Sequence, residues 1–216
     1  MEWLSRLLFE DAEALVIDKP AGLAVHPGPA TRDSLERHLP ALRLGFQRSP
    51  APAHRLDRDT SGCLLLARNP KALKRFAMAF EQGLVEKTYL AILDGVPDEE
   101  AGAVDLPLLK RSTREEGWRM VVDAAGKPSA TDWQVVARVD GRSLVEFRPR
   151  TGRTHQIRVH AASGIGIPIA GDPVYGRGGG ATLLHAWKLE MPRAGKNPVS
   201  AVAPLPDSFT RAGFAL

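Results

Sequence analysis

The nine residues His54-Arg55-Leu56-Asp57-Arg58-Asp59-Thr60-Ser61-Gly62 run straight into Cys63-Leu64-Leu65-Leu66-Ala67. An apolar run this short, with no polar side chain to face water, reads as a strand covered on both faces. A polar loop of alternating charge is therefore fixed at the mouth of a buried strand. Arg55 and Arg58 bracket Asp57. A guanidinium stays protonated in proteins and favours the charged form of a carboxylate beside it. Asp57 thus reads as a nucleophile or electrostatic anchor rather than a protonated acid. The plainer reading is a turn tied down by ion pairs, which also perturb carboxylates.

The same patterning orders the rest of the chain. Ala14 to Asp18 predicts a short buried strand, followed by a turn at Lys19-Pro20-Ala21-Gly22. Leu35, Leu39 and Leu42 fall near helical spacing between Asp33 and Leu44, with Pro40 as a break. Asn69-Pro70 reads as an N-cap and first helical residue. Leu73, Phe76, Ala77 and Phe80 then share one face, and Gly83 closes the helix. Lys87 to Leu93 predicts a strand, and Thr131–Val139 and Ser143–Arg148 predict a hairpin turning at Asp140-Gly141. Residues 97–130, polar and punctuated by Gly and Pro, are expected as a protruding hairpin or loop excursion. Thr154 is expected to cap a short helix ending at Gly164, before strands at Thr182–Met191 and Val199–Val202. Strands outnumber helices and come in adjacent groups. The expected class is α+β, with a mixed, largely antiparallel central sheet.

A chain of 216 residues suits a single domain, with its core between about residues 14 and 203. Lys and Arg outnumber Asp and Glu by 29 to 25, a mild excess that permits a polyanionic partner without demanding one. The single cysteine, Cys63, lies in the apolar run and fits a reducing compartment. Met1-Glu2-Trp3-Leu4 leads into Glu10, Asp11 and Glu13, with no basic leader and no apolar stretch of membrane length. These features predict a cytoplasmic protein with no membrane partner.

Most catalytic constellations fail on spacing. Asp57 and Asp59 share a side of an extended loop, but Arg58 stands between them and a shared-proton dyad is rare. The six histidines show no metal-ligand pattern, and there is no cysteine pair. Ser61 and Cys63 lack a nucleophile elbow, and Gly178-Gly179-Gly180 lacks the Lys-Ser/Thr of a phosphate loop. What is left is arginine chemistry: Arg55, Arg58, Arg150, Arg153 and Arg158 flank tight loops and suit phosphate gripping or carboxylate orientation. A solvated face is the plainer reading for Arg150 and Arg153. Tyr89, in an apolar strand, is otherwise a core aromatic.

The Asp57 loop resembles the His-Arg-Leu-Asp-x-x-Thr-Ser-Gly signature of the RluA-type RNA pseudouridine synthases. Three further segments match in order: Val16 to Gly22, Lys87-Thr88-Tyr89-Leu90-Ala91, and Gly152 to His160 with Gly171-Asp172-x-x-Tyr175-Gly176. The resemblance implies the pseudouridine synthase fold, with flanking helices and loops and a catalytic cleft across the sheet. It implies conversion of uridine to pseudouridine in RNA without metal or organic cofactor; the expected partner is an rRNA or tRNA stem-loop, and a monomer is expected. Asp57 matches the essential aspartate, Tyr89 the tyrosine that packs on the target base, and Arg158 the basic residue that pairs with the aspartate. Arg55 matches the arginine that fills the gap left by the flipped nucleotide. His54, Arg58, Arg153, Lys110, Arg111 and Arg114 are the further expected RNA contacts. Attack on C1′, attack on the base and a glycal-type route all stay open. The sequence departs from many relatives in having only about thirteen residues before the first strand, too few for an added N-terminal RNA-binding domain. Residues 163–168 are also one residue longer than the usual spacing. The alternatives are an inactive RNA-binding protein of the same fold and a hydrolase that releases free base.

Overall fold

The apolar runs become strands, and they gather in two groups. The computed structural model describes residues 2–28, 31, 33–113 and 117–216. In chain order the elements are β1 (Leu7–Glu10), β2 (Ala14–Lys19), β3 (Ala51–Pro52), β4 (Ser61–Ala67), α1 (Pro70–Glu81), β5 (Glu86–Leu93), β6 (Ala101–Asp105), β7 (Leu108–Thr113), β8 (Gly117–Val122), β9 (Ala130–Val139), β10 (Arg142–Pro149), α2 (Gln156–Val159), β11 (Leu184–Arg193), β12 (Lys196–Val202) and α3 (Asp207–Arg211). One compact unit comprises Met1–Lys87 and Ala186–Pro204, the other Thr88–His185 and Leu205–Leu216. The chain passes from one to the other inside β5, inside β11 and again after Pro204.

In the first unit the strands lie in the order β1-β2-β4-β11-β12, with β3 also against β4. Every residue of β4 is buried, as its lack of charge requires. β2 runs antiparallel to it from Ala14 opposite Ala67 to Lys19 opposite Gly62. That register sets the turn after β2 beside the Asp57 loop before β4. Gly62 has φ +102, and a Cβ there would stand 2.2 Å from the Ala186 carbonyl oxygen, so only glycine fits. The Asn69 side chain accepts from the Ala72 N–H at 2.9 Å and starts α1, a cap worth about 1 kcal/mol. Ala72 and Phe76 of α1 are buried in a core with Val16, Leu65, Leu189 and Met191. Leu35, Leu39 and Leu42 do not share one α-helix. They fall in two short 3-10 turns, Leu35–Arg37 and Leu39–Leu42, because Pro40 has no N–H to continue the first and sits instead at the start of the second, after Leu39.

In the second unit β5, β10, β9 and β6 form an antiparallel series in that order. Asp140 and Gly141, at φ 49 and 74, make the two-residue turn between β9 and β10. The 97–130 stretch holds three strands: β6 pairs with β9, while β7 and β8 form a two-stranded ribbon. Phe147, Val145, Ala91, Ile157 and Ile169 form the core. The helix near Thr154 corrects the sequence reading at both ends. It starts at Gln156, flanked by His155 in the left-handed region at φ 54, and no side chain caps it. It runs on as a π-helix over His160–Ile165, and Gly166 at φ 83 closes it instead of Gly164. Among the described residues no helix is long and apolar enough to cross a membrane.

Candidate active site

The sequence-selected residues divide between the units. Asp57 is half-buried between buried Leu56 and exposed Arg58, and its carbonyl accepts from the Thr60 N–H at 3.2 Å. Lys19, which the sequence reading did not single out, organises this loop. Its side chain is wholly buried. Nζ donates to the carbonyls of Pro20 at 2.9 Å, Leu23 at 2.7 Å and Arg58 at 3.0 Å. An ammonium has three protons, and all three are placed. The Gly22 N–H reaches the same Arg58 carbonyl at 2.9 Å. The turn after β2 and the loop before β4 are thereby one structure. Burial pulls the Lys19 pKa down from 10.5 to about 7, against the opposing pull of Asp59, Asp57 and Asp18.

The other loop residues take distinct parts. His54 Nε2 accepts the Leu65 N–H at 3.0 Å, and its ring stacks on Phe80 at 4.4 Å. Burial, helped by the charge of Lys87, pushes its pKa down to about 3. His54 is therefore a neutral acceptor that seats the loop on β4. Arg58 grips Asp59 through Nε at 3.0 Å and Nη2 at 3.2 Å, which engages Asp59 with a cation and sets it apart from a carboxylate dyad. The exposed Arg55 guanidinium has no hydrogen bond or ion pair among the described residues.

In the second unit Arg158 is buried and holds Asp172 in a fork, Nε to Oδ2 at 2.7 Å and Nη2 to Oδ1 at 2.8 Å. Asp172 Oδ1 also accepts from the Val174 and Tyr175 N–H groups at 2.8 and 3.1 Å. Burial alone would raise this carboxyl. The Arg158 guanidinium and the two backbone donors outweigh it and keep the pKa below the ordinary value. Gln156 sets the start of the helix that carries Arg158. Its Oε1 accepts from Thr151 Oγ1 at 2.7 Å and Arg153 N at 2.9 Å, and its Nε2 donates to the Ala130 carbonyl at 3.0 Å and Thr131 Oγ1 at 2.9 Å. This clamp replaces the Thr154 cap. Buried His160, its pKa lowered by burial, pairs with Thr131 Oγ1 at 2.8 Å. Tyr89 lies on β5 opposite Phe147 of β10 and packs on the core.

Of the remaining expected RNA contacts, Arg153, Lys110 and Arg111 are exposed. Arg153 Nε donates to the Pro128 carbonyl at 3.1 Å. Lys110 lies over the Trp118 ring at 4.9 Å, and Arg111 pairs with Asp123 at 3.0 Å. Arg114 lies outside the described residues. Lys19, Asp172 and Gln156 each sit in a segment that carried the family resemblance, so the signal was present. Their partners were not legible, because Lys19 meets Arg58 across 39 positions.

The family model described as RNA pseudouridylate synthase matches residues 13–163, which include Asp57, Tyr89 and Arg158. The chain belongs to the RluA-type RNA pseudouridine synthase family. An uncharacterised RNA pseudouridine synthase of Zymomonas mobilis is 56% identical over 216 residues, 97% of each chain. A ribosomal large subunit pseudouridine synthase D of Nitrosomonas europaea is 38% identical over 227 residues, covering 94% of this chain and 63% of its own. Among solved structures, human RNA pseudouridylate synthase domain containing 4 matches with a TM-score of 0.82 at 27% identity, over 97% of this chain and 92% of that one. The pseudouridine synthase fold accounts for the mostly antiparallel strands and few helices. Membership makes the chain an isomerase acting on RNA.

Proposed function

We propose that this pseudouridine synthase isomerises specific uridines in hairpin loops of rRNA or tRNA, with Asp57 as the residue that starts the chemistry. The observation that carries the assignment is the loop itself: a half-buried carboxylate whose flanking backbone is fixed by a buried ammonium at the Arg58 carbonyl. Preorganised charge of this kind costs no rearrangement when the reaction begins. The reaction moves the glycosidic bond from N1 to C5 of uracil; the C5 proton is lost, N1 is protonated, and nothing is oxidised. Tyr89 takes the place against the target base, and Arg158 the basic role that the resemblance gives it. Arg55, an uncommitted cation, fills the space of the extruded nucleotide, since a stacked base must leave the helix before its glycosidic bond is reached. Arg58, Arg153, Lys110, Arg111 and Arg114 serve the phosphates, and His54 serves RNA indirectly by seating the loop.

The test is to incubate the protein with unmodified rRNA and tRNA transcripts and quantify pseudouridine and free uracil together. Pseudouridine at discrete loop uridines without free uracil supports the proposal. Uracil release with abasic sites would support the hydrolase, and neither product with tight RNA binding would support an inactive binding protein.

A further inference from the structure

The β7–β8 ribbon presents an indole that the catalytic proposal does not use. Trp118 stands on β8 opposite Ser112 and is 47% exposed. Its ring stacks on His155, with centroids 5.0 Å apart and planes at 29°. The backing is built. His155 occupies the left-handed region at φ 54, a conformation that a residue with a side chain rarely adopts without support. The Tyr175 hydroxyl supplies that support: it accepts the Met120 N–H at 3.0 Å and pairs with His155 Nδ1 at 2.9 Å. The Tyr175 ring meets His155 edge-on at 5.6 Å and lies 5.1 Å from the Arg158 guanidinium. An aromatic ladder thus leads from solvent to the arginine that holds Asp172.

We propose that Trp118, backed by His155, is a stacking platform for an unpaired nucleobase of the RNA, at a position other than the target uridine. The inference rests on the reading of the chain as an enzyme of structured RNA. Any base can stack on an exposed indole, and unpaired loop bases are the ones free to do so. The charge around the ring selects this partner over a protein. Lys110 Nζ lies 4.9 Å from the indole, and the described strands of the ribbon also carry Arg119 and Arg111, the latter paired with Asp123. Protein interface cores are depleted of charge, whereas a base brings a phosphate for a neighbouring cation to meet.

The probes are a short single-stranded oligoadenylate and the same sugar-phosphate chain with abasic sites throughout. Neither contains uridine, so binding is read separately from isomerisation, which the Asp57→Asn enzyme tests on its own. Trp118→Ala is expected to weaken oligoadenylate binding by about fivefold to 100-fold and leave the abasic chain unaffected. Trp118→Phe, which keeps a ring, should restore most of the loss, and Lys110→Ala should weaken both probes alike. Thermal midpoints of the variants within a few degrees of the parent confirm folding. Equal losses on both probes, no loss on either, or a parent protein that does not distinguish the probes would overturn the platform.

Discussion

The two units hold charge in place by different means. In the first, buried Lys19 donates to three main-chain carbonyls. In the second, buried Arg158 holds the side-chain carboxylate of Asp172 in a fork. A main-chain anchor depends on one side chain and tolerates any residue that offers the carbonyl. A side-chain pair depends on both members, and losing either removes the fork that fixes the other. Lys19 therefore ties two pieces of backbone together, whereas Asp172 fixes a guanidinium. The first device sets a loop's path, and the second sets one functional group's orientation.

Breaking the second device should have the larger effect on stability. Asp172→Ala leaves a buried guanidinium without its fork partner, a loss of about 3–5 kcal/mol, measurable as a lower denaturant midpoint. The Asp172 pKa is lowered by folding. Its contribution is therefore complete above the ordinary carboxylate value and disappears as pH falls through the folded one. The gap between wild-type and Asp172→Asn midpoints should hold from pH 6 to about 4 and narrow as pH falls further below the ordinary carboxylate value of 3.8; a gap that stays constant in that acid range would count against the pairing.

Lys19→Met should show the opposite balance. The methionine removes the desolvation cost of a buried charge but leaves the Pro20 and Leu23 carbonyls without their Lys19 donor, so a stability loss smaller than that of Asp172→Ala is expected near pH 7, while the loop loses its tie to the Arg58 carbonyl. Misplacement of a catalytic group by an ångström costs about 100-fold in rate, and a turnover loss of that order is expected. Folding lowers the Lys19 pKa from 10.5 to about 7, so the unfolded chain carries the extra proton between those values. Wild-type stability should rise with pH across that window relative to Lys19→Met. A variant with unchanged turnover would show that the tie does not position Asp57.

Smaller effects separate the exposed cations. Arg55→Ala should slow turnover on a stacked hairpin more than on a short flexible RNA whose target base is already unstacked. Equal losses would make Arg55 another phosphate contact. The smallest change belongs to the ribbon. Lys110→Ala should flatten the salt dependence of affinity by about 0.7 log units per log unit of salt. Arg111→Ala should change it less, because Arg111 already pairs with Asp123.

Strands and caps were legible wherever one local rule sufficed. The unbroken apolar run gave β4, the Asn69-Pro70 pair gave the start of α1, and Asp140-Gly141 gave the β9–β10 turn. Thr154 failed as a cap because Gln156, four hydrogen bonds deep in partners from residues 130–153, decides where the helix begins. No local pattern reports such partners. The Asp57 loop could be singled out because its signature is contiguous. Burial of Lys19 and the Asp172 fork were not, since a lysine after a strand and an aspartate in a glycine-rich loop each read as solvated until distant backbone closes over them.

Asp57 is proposed to start the isomerisation from a loop already in position. The most direct measurement is single-turnover pseudouridine formation by Asp57→Asn, with RNA affinity and thermal midpoint measured on the same preparation. Asparagine keeps the volume and much of the hydrogen bonding but removes the charge. The expected result is no detectable pseudouridine, with affinity and midpoint close to wild type. Substantial turnover by this variant would contradict the assignment.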